Sequence, residues 1–400
     1  MNCAGHHIMM GGKQLPYLTE LEYLESTGTQ YIKTGIVGKP PTVAEIDFRW
    51  VGTPSADAAI LGCRNNSLSA PRFIMLMTNQ TKIRQLGVGS SWATYGNFTM
   101  DTDYNAVSSF VSGDTTLTLN GSRIIRSTYA LADTGVELYL FANNNAGAKD
   151  LATARVYGCK IYQSGTLVRD FIPVRKGTVG YLYDRVSGAL FGNAGTGDFV
   201  LGQDVVPVEY IESHGTEWID TGFKANTTTT TLETSIELTS MSANAGLFGS
   251  RNNTSMANGA SCNAFVMSTG KIRLDWASAD SNLNIDVQTG VRYEMSVTQG
   301  RYVLNGTETT IPISAQSYDQ ASNFLLFNFY NDTIPFSTGA SAKMRYARLY
   351  SNSALVRDFI PVRVGTEGAM MDALTRRVYR NAGTGAFTYG NDLPYPIPAS

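Results

Sequence analysis

Charge is scarce in this chain. Only 16% of its 400 residues are Asp, Glu, Lys or Arg, against roughly a quarter in an average soluble protein. No stretch gathers Lys and Arg into a patch, and the formal net charge is −2. An electrostatic footprint for nucleic acid or an anionic membrane is therefore missing, and neither is expected as a partner. The four cysteines, Cys3, Cys63, Cys159 and Cys262, fit no metal spacing. A Cys63–Cys159 bridge is open on spacing alone, with free thiols the plainer expectation. No run of about 20 apolar residues could span a bilayer. The opening MNCAGHHIMMGGKQLP lacks the basic start and apolar stretch of a secretory signal, so the protein is expected to stay where it is made or to leave by lysis.

What the chain does have is itself, twice. LEYLESTGTQYIKTGI from Leu21 returns as VEYIESHGTEWIDTGF from Val208, and LVRDFIPVR from Leu167 returns unchanged from Leu355, at offsets of 187 and 188 residues. A repeat this long is a duplicated domain, because each copy can bury its own core. With 43% hydrophobic residues, the chain has enough apolar side chain for two such cores. The expected organisation is an N-terminal arm over 1–19, a first domain over 20–204, a second over 205–391 and a Pro-rich extended tail over 392–400. The link GQDVVP at 202–207 is too short for free tumbling, so the domains are expected to touch.

Strand signals dominate. Thr115 to Asn120, Arg155 to Tyr162, Val297 to Val303 and Arg345 to Tyr350 alternate apolar and polar residues with period two, the pattern of antiparallel strands with one buried face. Asn120-Gly121 and Asn305-Gly306 supply the positive φ angles of tight hairpins. Many short strands, Gly-rich turns and scarcely a helical pattern indicate an all-β fold of two tandem sandwiches, each too long to be immunoglobulin-sized.

The opening YLESTGTQYIKTG, the strand ending in LNG, and the closing LVRDFIPVR with YDRVSGALFGNAGTG resemble the laminin-G-like, concanavalin A-like jelly rolls of phage and prophage proteins from gut bacteria. The resemblance covers both copies almost end to end. It implies two concanavalin A-like jelly-roll sandwiches that bind carbohydrate or protein on a virion fibre, a tail protein or a bacterial surface protein. Some of its relatives hold calcium on the sandwich rim; no ligands for it can be placed here, and neither a metal nor a cofactor is expected.

Duplication also screens for chemistry, since a residue kept in one copy only is a poor candidate for a reaction that both share. The three histidines are His6, His7 and His214, and His214 aligns with Thr27, so no shared nucleophilic set can be built. Glu45-Ile46-Asp47 begins like the clustered acids of jelly-roll glycan hydrolases, but the next position on that face is Arg49. Copy two offers Glu233 and Glu237 without the central acid. No catalytic residue is expected.

Sugar binding needs aromatic faces and hydrogen-bonding side chains. Trp92 and Tyr95 lie in a Gly/Ser-rich stretch, and Asp275-Trp276 lies at a similar place in copy two; the competing role for these rings is to cap the core. Arg64-Asn65-Asn66 recurs as Arg251-Asn252-Asn253, either as a site or as a turn whose Arg pairs locally. Arg169-Asp170 and Arg357-Asp358 belong to a strand whose apolar side is buried, with Pro173 or Pro361 ending its ladder. The expected function is that of a non-enzymatic virion protein, a head fibre, capsid decoration or tail component, displaying lectin-like sandwiches to host-surface or mucus glycans. A purely structural capsid-binding role and a bacterial adhesin are the alternatives. The arm is expected to bind other virion proteins, and no coiled-coil heptads impose an oligomer, although a homo-oligomer stays open.

Overall fold

The computed structural model describes residues 9–10, 13–52, 57–65, 71–78, 81–88, 92–96, 98–128, 130–252, 260–277, 283–310 and 317–394. Every regular element among them is a strand, and none of them forms a helix long and apolar enough to cross a membrane. The chain divides into two compact units, Met1–Asp204 and Val205–Ser400.

In the first unit, one sheet runs in the order Ser122–Ser127, Thr115–Leu119, Tyr104–Phe110, Thr42–Trp50, Thr153–Gln163, Thr166–Lys176, Val179–Asp184 and Ala189–Phe191, antiparallel throughout. The other runs Trp92–Gly96, Lys82–Val88, Pro71–Thr78, Asp57–Arg64, Glu137–Leu140 and Ile32–Val37. Phe48, Trp50, Phe73, Phe110, Phe141 and Phe171 are sealed between them. The alternation in the sequence is the cause: Thr115, Leu117 and Leu119 are buried while Thr116 and Thr118 are not. Successive side chains of a strand leave opposite faces, so one parity fills the sandwich.

The second unit repeats this plan. Thr307–Thr310, Arg301–Leu304, Arg292–Thr298, Thr230–Leu238, Ser341–Ser351, Ala354–Val364, Glu367–Asp372 and Val378–Tyr379 form one sheet. Ile219–Asp220, Leu325–Leu326, Ala245–Arg251, Ser261–Val266, Lys271–Trp276 and Leu283–Asp286 form the other. Its core holds Phe248, Trp276, Phe324, Phe327 and Phe359.

Both Asn-Gly hairpins form. Asn120 and Gly121 have φ of 47° and 79°, Asn305 and Gly306 of 47° and 81°, and the flanking residues pair across each two-residue loop. The asparagine has a second task. Its side-chain oxygen accepts the N–H of the next strand, Asn105 in one unit at 2.9 Å and Glu294 in the other at 2.8 Å.

The repeated motifs act as clasps. Arg169 donates from Nε to the Thr34 carbonyl and from a terminal nitrogen to that of Val168, as Arg357 does to Thr221 and Val356. Asp184 accepts the Asp170 N–H and Asp372 that of Asp358. Arg175 grips Asp204 with two bonds of 2.8 and 2.6 Å, and Arg363 grips Asp392 with two of 2.7 Å. In the NAGTG loops, Asn193 accepts from Gly195 and Tyr31, and Asn381 from Gly383 and Trp218. A Cβ at Gly195 or Gly383 would fall 2.1 Å from the carbonyl oxygen of Thr29 or Thr216; only glycine fits there. Gln30 and Glu217 close the STGTQ and SHGTE turns, accepting from the backbone of Thr27 and His214 at 2.8 Å.

Four expectations need correction. Val297 to Val303 is no single strand: Gln299 and Gly300, with φ of 78° at Gly300, turn the chain between Arg292–Thr298 and Arg301–Leu304. Pro173 does not end its ladder. Pairing with Thr153–Gln163 stops at Phe171, but pairing with Val179–Asp184 continues through Pro173 to Lys176. The sequence from 15 to 19 is not an arm, since Leu15 and Tyr17 are buried, the Tyr17 ring lies 4.9 Å from that of Tyr183, and Thr19–Leu21 joins the sheet. The tail starts later than 392, because Asp392 bridges to Val208 and Leu393 donates to the Pro207 carbonyl. Residues 395–400 lie outside the described residues, as do most of those before Leu15. Cys63, Cys159 and Cys262 are free and buried. Burial pushes the Cys63 thiol up to about 11 and those of Cys159 and Cys262 higher still; none is a ready nucleophile.

Phe171→Ala and Phe359→Ala should each cost about 3–5 kcal/mol in their own unit; a melting transition of unchanged midpoint would refute the core placement. Glu217 offers a test by pH. Burial raises its carboxyl, but the His214 N–H and the Thr216 hydroxyl outweigh that and hold it below the usual carboxylate range. Its contribution is complete above the unfolded value of about 4.3 and is lost as pH falls through the lower folded value. Glu217→Gln, which installs the residue that the first unit carries as Gln30, should keep the fold and flatten the acid limb of the second unit's melting curve; a limb of unchanged steepness would contradict this.

Candidate functional site

Sandwich folding leaves one face of each sheet free of the core. In the second unit, Cys262, Ala264, Val266, Ile272, Leu274 and Trp276 face inward. Parity therefore sends Ser261, Asn263 and Phe265 of one strand, and Arg273 and Asp275 of the next, to the opposite face. Register sets Arg251 beside Ser261, Gly249 beside Asn263, and Asn263 beside Asp275.

The chain then returns along the edge of this sheet. Tyr330–Asn331 runs parallel to Ala245–Arg251 and forms a hairpin with Ile334–Pro335. This brings Phe329 and Phe336 into a stack at 4.6 Å, with Phe265 at 6.1 and 6.4 Å from them. The Arg251 guanidinium lies 4.9 Å from the Phe329 ring centre and 5.6 Å from that of Phe336, and Arg273 lies 5.8 Å from that of Phe265. Such cation–ring contacts contribute about 0.5–2 kcal/mol. Arg251 Nε donates to Asn331 at 2.8 Å, and Arg273 pairs with Asp275 at 2.9 Å. Desolvation lowers the Arg251 pKa, partly opposed by the Asp275 charge. Phe329 is buried, Phe265 and Phe336 stay partly exposed, and Ile334 at the hairpin tip is 70% exposed. The result is a partly open aromatic platform with charged and amide groups along it.

The first unit builds the same face from other residues. Alignment by register puts Ile74 at the place of Asn263, Arg72 at that of Ser261 and Asn143 at that of Phe329. Ile74 packs with Ala59 in a small apolar cluster. Arg64 and Arg72 are cross-strand partners on that face, and burial followed by the Arg64 charge lowers the Arg72 pKa.

The sequence-derived candidates separate accordingly. Arg251 and Asp275 come together on one face, although 24 positions apart in sequence. Trp276 does not join them: it is fully buried, edge-on to Phe324 at 6.2 Å, because its parity is opposite to that of Asp275. It caps the core and offers no ring to a ligand. Asn252 donates its backbone N–H to Ala260 at 3.0 Å where the strand turns; Asn66 and Asn253 lie outside the described residues. Arg64 stands on the outer face of its sheet and Asn65 is exposed at the strand end. The backbone of Trp92 and Tyr95 forms an edge strand opposite Leu86 and Ile83, and their side chains lie outside the described residues. Phe265, Phe329, Phe336, Asn263 and Ser261 were missed by sequence reasoning. The signal was in SCNAFV, where a polar residue and a ring share the parity opposite to Cys262, Ala264 and Val266.

The acids on the other sheets are tied down. Asp47 accepts from Asn105 at 3.2 Å, and Glu233 from the Tyr350 hydroxyl at 2.9 Å. Burial raises the carboxyls of Glu237 and Glu294. Arg345 with Lys343 in one case, and Tyr346, Ser235 and Arg292 in the other, outweigh it and hold both below the usual range. A glycosidase acid needs the reverse shift and a second carboxylate across the bond. Among the described residues, no group of three His, Cys, Asp or Glu could hold a metal ion.

No family model matches the chain, and no curated protein matches it. Solved structures similar to it include domains LG4-5 of the mouse laminin alpha1 chain, at 10% identity and a TM-score of 0.32, covering 89% of this chain and 94% of that one. The LG1-3 region of the laminin alpha2 chain is similar at 10% identity and a TM-score of 0.29, covering 94% and 66%. The NanB sialidase of Streptococcus pneumoniae is similar at 9% identity and a TM-score of 0.28, covering 92% and 75%.

Proposed function

We propose that this chain is a non-enzymatic display protein of a bacteriophage virion, a head fibre, capsid decoration or tail component, whose sandwiches hold glycans of a host surface or mucus. The observation that carries the binding part is the outer face of the second unit. There, Phe265 and Phe336 present partly exposed rings between Arg251 and Arg273, on a sheet whose opposite face already satisfies the core. Sugar rings present C–H faces to aromatic side chains and hydroxyls to amide and guanidinium groups. The absence of catalysis is supported by Glu237 and Glu294, whose carboxyls Arg345 with Lys343, and Tyr346, Ser235 and Arg292, hold below the usual range. The virion setting rests on the motif resemblance. A structural role against other capsid subunits is the second reading, favoured by Ile334, whose apolar side chain projects from the hairpin tip.

The test is the full-length protein on a glycan array, together with immunogold labelling of phage particles and a reducing-sugar assay with Glu45→Gln as control. Array signal, labelled particles and no turnover are expected. A silent array with capsid labelling would establish the structural reading, and turnover that vanishes in Glu45→Gln would overturn the non-enzymatic one.

A further inference from the structure

Asn263 is fully buried, yet neither its side-chain oxygen nor its side-chain nitrogen has a hydrogen-bond partner, and two positions away the Ser261 hydroxyl is in the same state. Leaving such groups dehydrated and unpaired is destabilising, because each gives up its bonds to water and gains none in the fold. Both stand on the outward face under the aromatic platform, not in the core. At the corresponding place the first unit puts Ile74, in apolar contact with Ala59, so the fold accommodates an aliphatic residue here without any such cost. Stability alone gives no reason for the asparagine.

We infer that Ser261 and Asn263, with Arg251 beside them, form the specificity-determining subsite of the second unit for a neutral pyranose, a site that the first unit lacks. This rests on the glycan-binding reading above and deepens it. An amide offers a donor and an acceptor, and a hydroxyl two rows along the same strand adds both again, a set that suits the vicinal hydroxyls of a sugar ring. Such a ring lies flat against Phe265 and Phe336 while its edge reaches the amide. Charge selects the neutral class: Arg273 is paired with Asp275, and Arg251 lies in the fields of Asp275 and Asp332, so two cations face two anions and no net positive charge is left for an acidic sugar. Both subsite groups are sealed from solvent, so the ligand must displace their cover. Arg251 lies over Phe329 and Phe336 and is the register partner of Ser261, which makes it the side chain placed to move.

The experiment compares full-length wild type, Asn263→Ile and Ser261→Ala on an array carrying neutral and sialylated oligosaccharides, with thermal melts of each. Wild type should bind neutral glycans, and Asn263→Ile should lose at least about tenfold in affinity while melting no lower than wild type. Undiminished binding by Asn263→Ile overturns the subsite and leaves the glycan-binding reading standing. Preference for the sialylated arm overturns the neutral class. Should Asn263→Ile fail to fold, Ser261→Ala decides: its affinity falls if the subsite is correct, and unchanged affinity refutes it. A wild type silent on every glycan defeats the glycan-binding reading together with the subsite.

Discussion

Each sheet of a sandwich must surrender one face to the core, and this commitment of alternate residues constrains everything else in the protein. Phe48, Ile46 and Ala44 of one strand and Val156, Cys159 and Ile161 of its neighbour are sealed, so Glu45, Asp47 and Lys160 have nowhere to go but out. A slip of one residue would exchange the two sets and bury the charges. Register is therefore fixed by hydrophobic pattern, and the clasps follow from register. Arg169 can reach the Thr34 carbonyl, and Arg357 that of Thr221, only because the strands that carry them are held at that stagger.

This hierarchy explains what the duplication kept. The repeated letters are those with geometric work: the glycines of NAGTG, where no Cβ fits; the Asn-Gly turns, whose side chain also bonds the next strand; and RDFIPVR, whose arginines and aspartates lace strand ends together. None of these needs a ligand. The outward residues between them carry no such duty, and several of them differ between copies, as Ile74 differs from Asn263 and Asn143 from Phe329.

Much of the fold was therefore legible in the sequence. Period-two alternation and Asn-Gly pairs mark strands and hairpins by local geometry, which a single sequence displays directly. Legibility failed where local pattern is silent about neighbours. Val297 to Val303 alternates well enough for one strand, but Gly300 takes a positive φ and divides it. Pro173 lacks an N–H, a loss that matters only on one side of its strand, so the ladder on the other side continues. Tyr17 falls in the expected N-terminal arm, but Tyr183, far along the chain, supplies a ring for it.

The site was harder, for a reason rooted in parity. Asp275 and Trp276 are adjacent letters, so a reading by proximity groups them, whereas a strand sends adjacent letters to opposite faces. Proximity leaves Trp276 open to a role on a surface that it cannot reach as well as to the core that it caps, and the rings that do reach that surface, Phe329 and Phe336, flank a hairpin more than fifty positions downstream. Arg251 and Asn263 likewise meet through strand pairing alone. The core tolerates one kind of residue and reveals itself by repetition, while an outward face tolerates many. Its identity is set by which long-range pairs the register brings side by side, and comparing the two copies position by position is what makes those choices visible: Asn263 is unremarkable by itself and anomalous only beside Ile74.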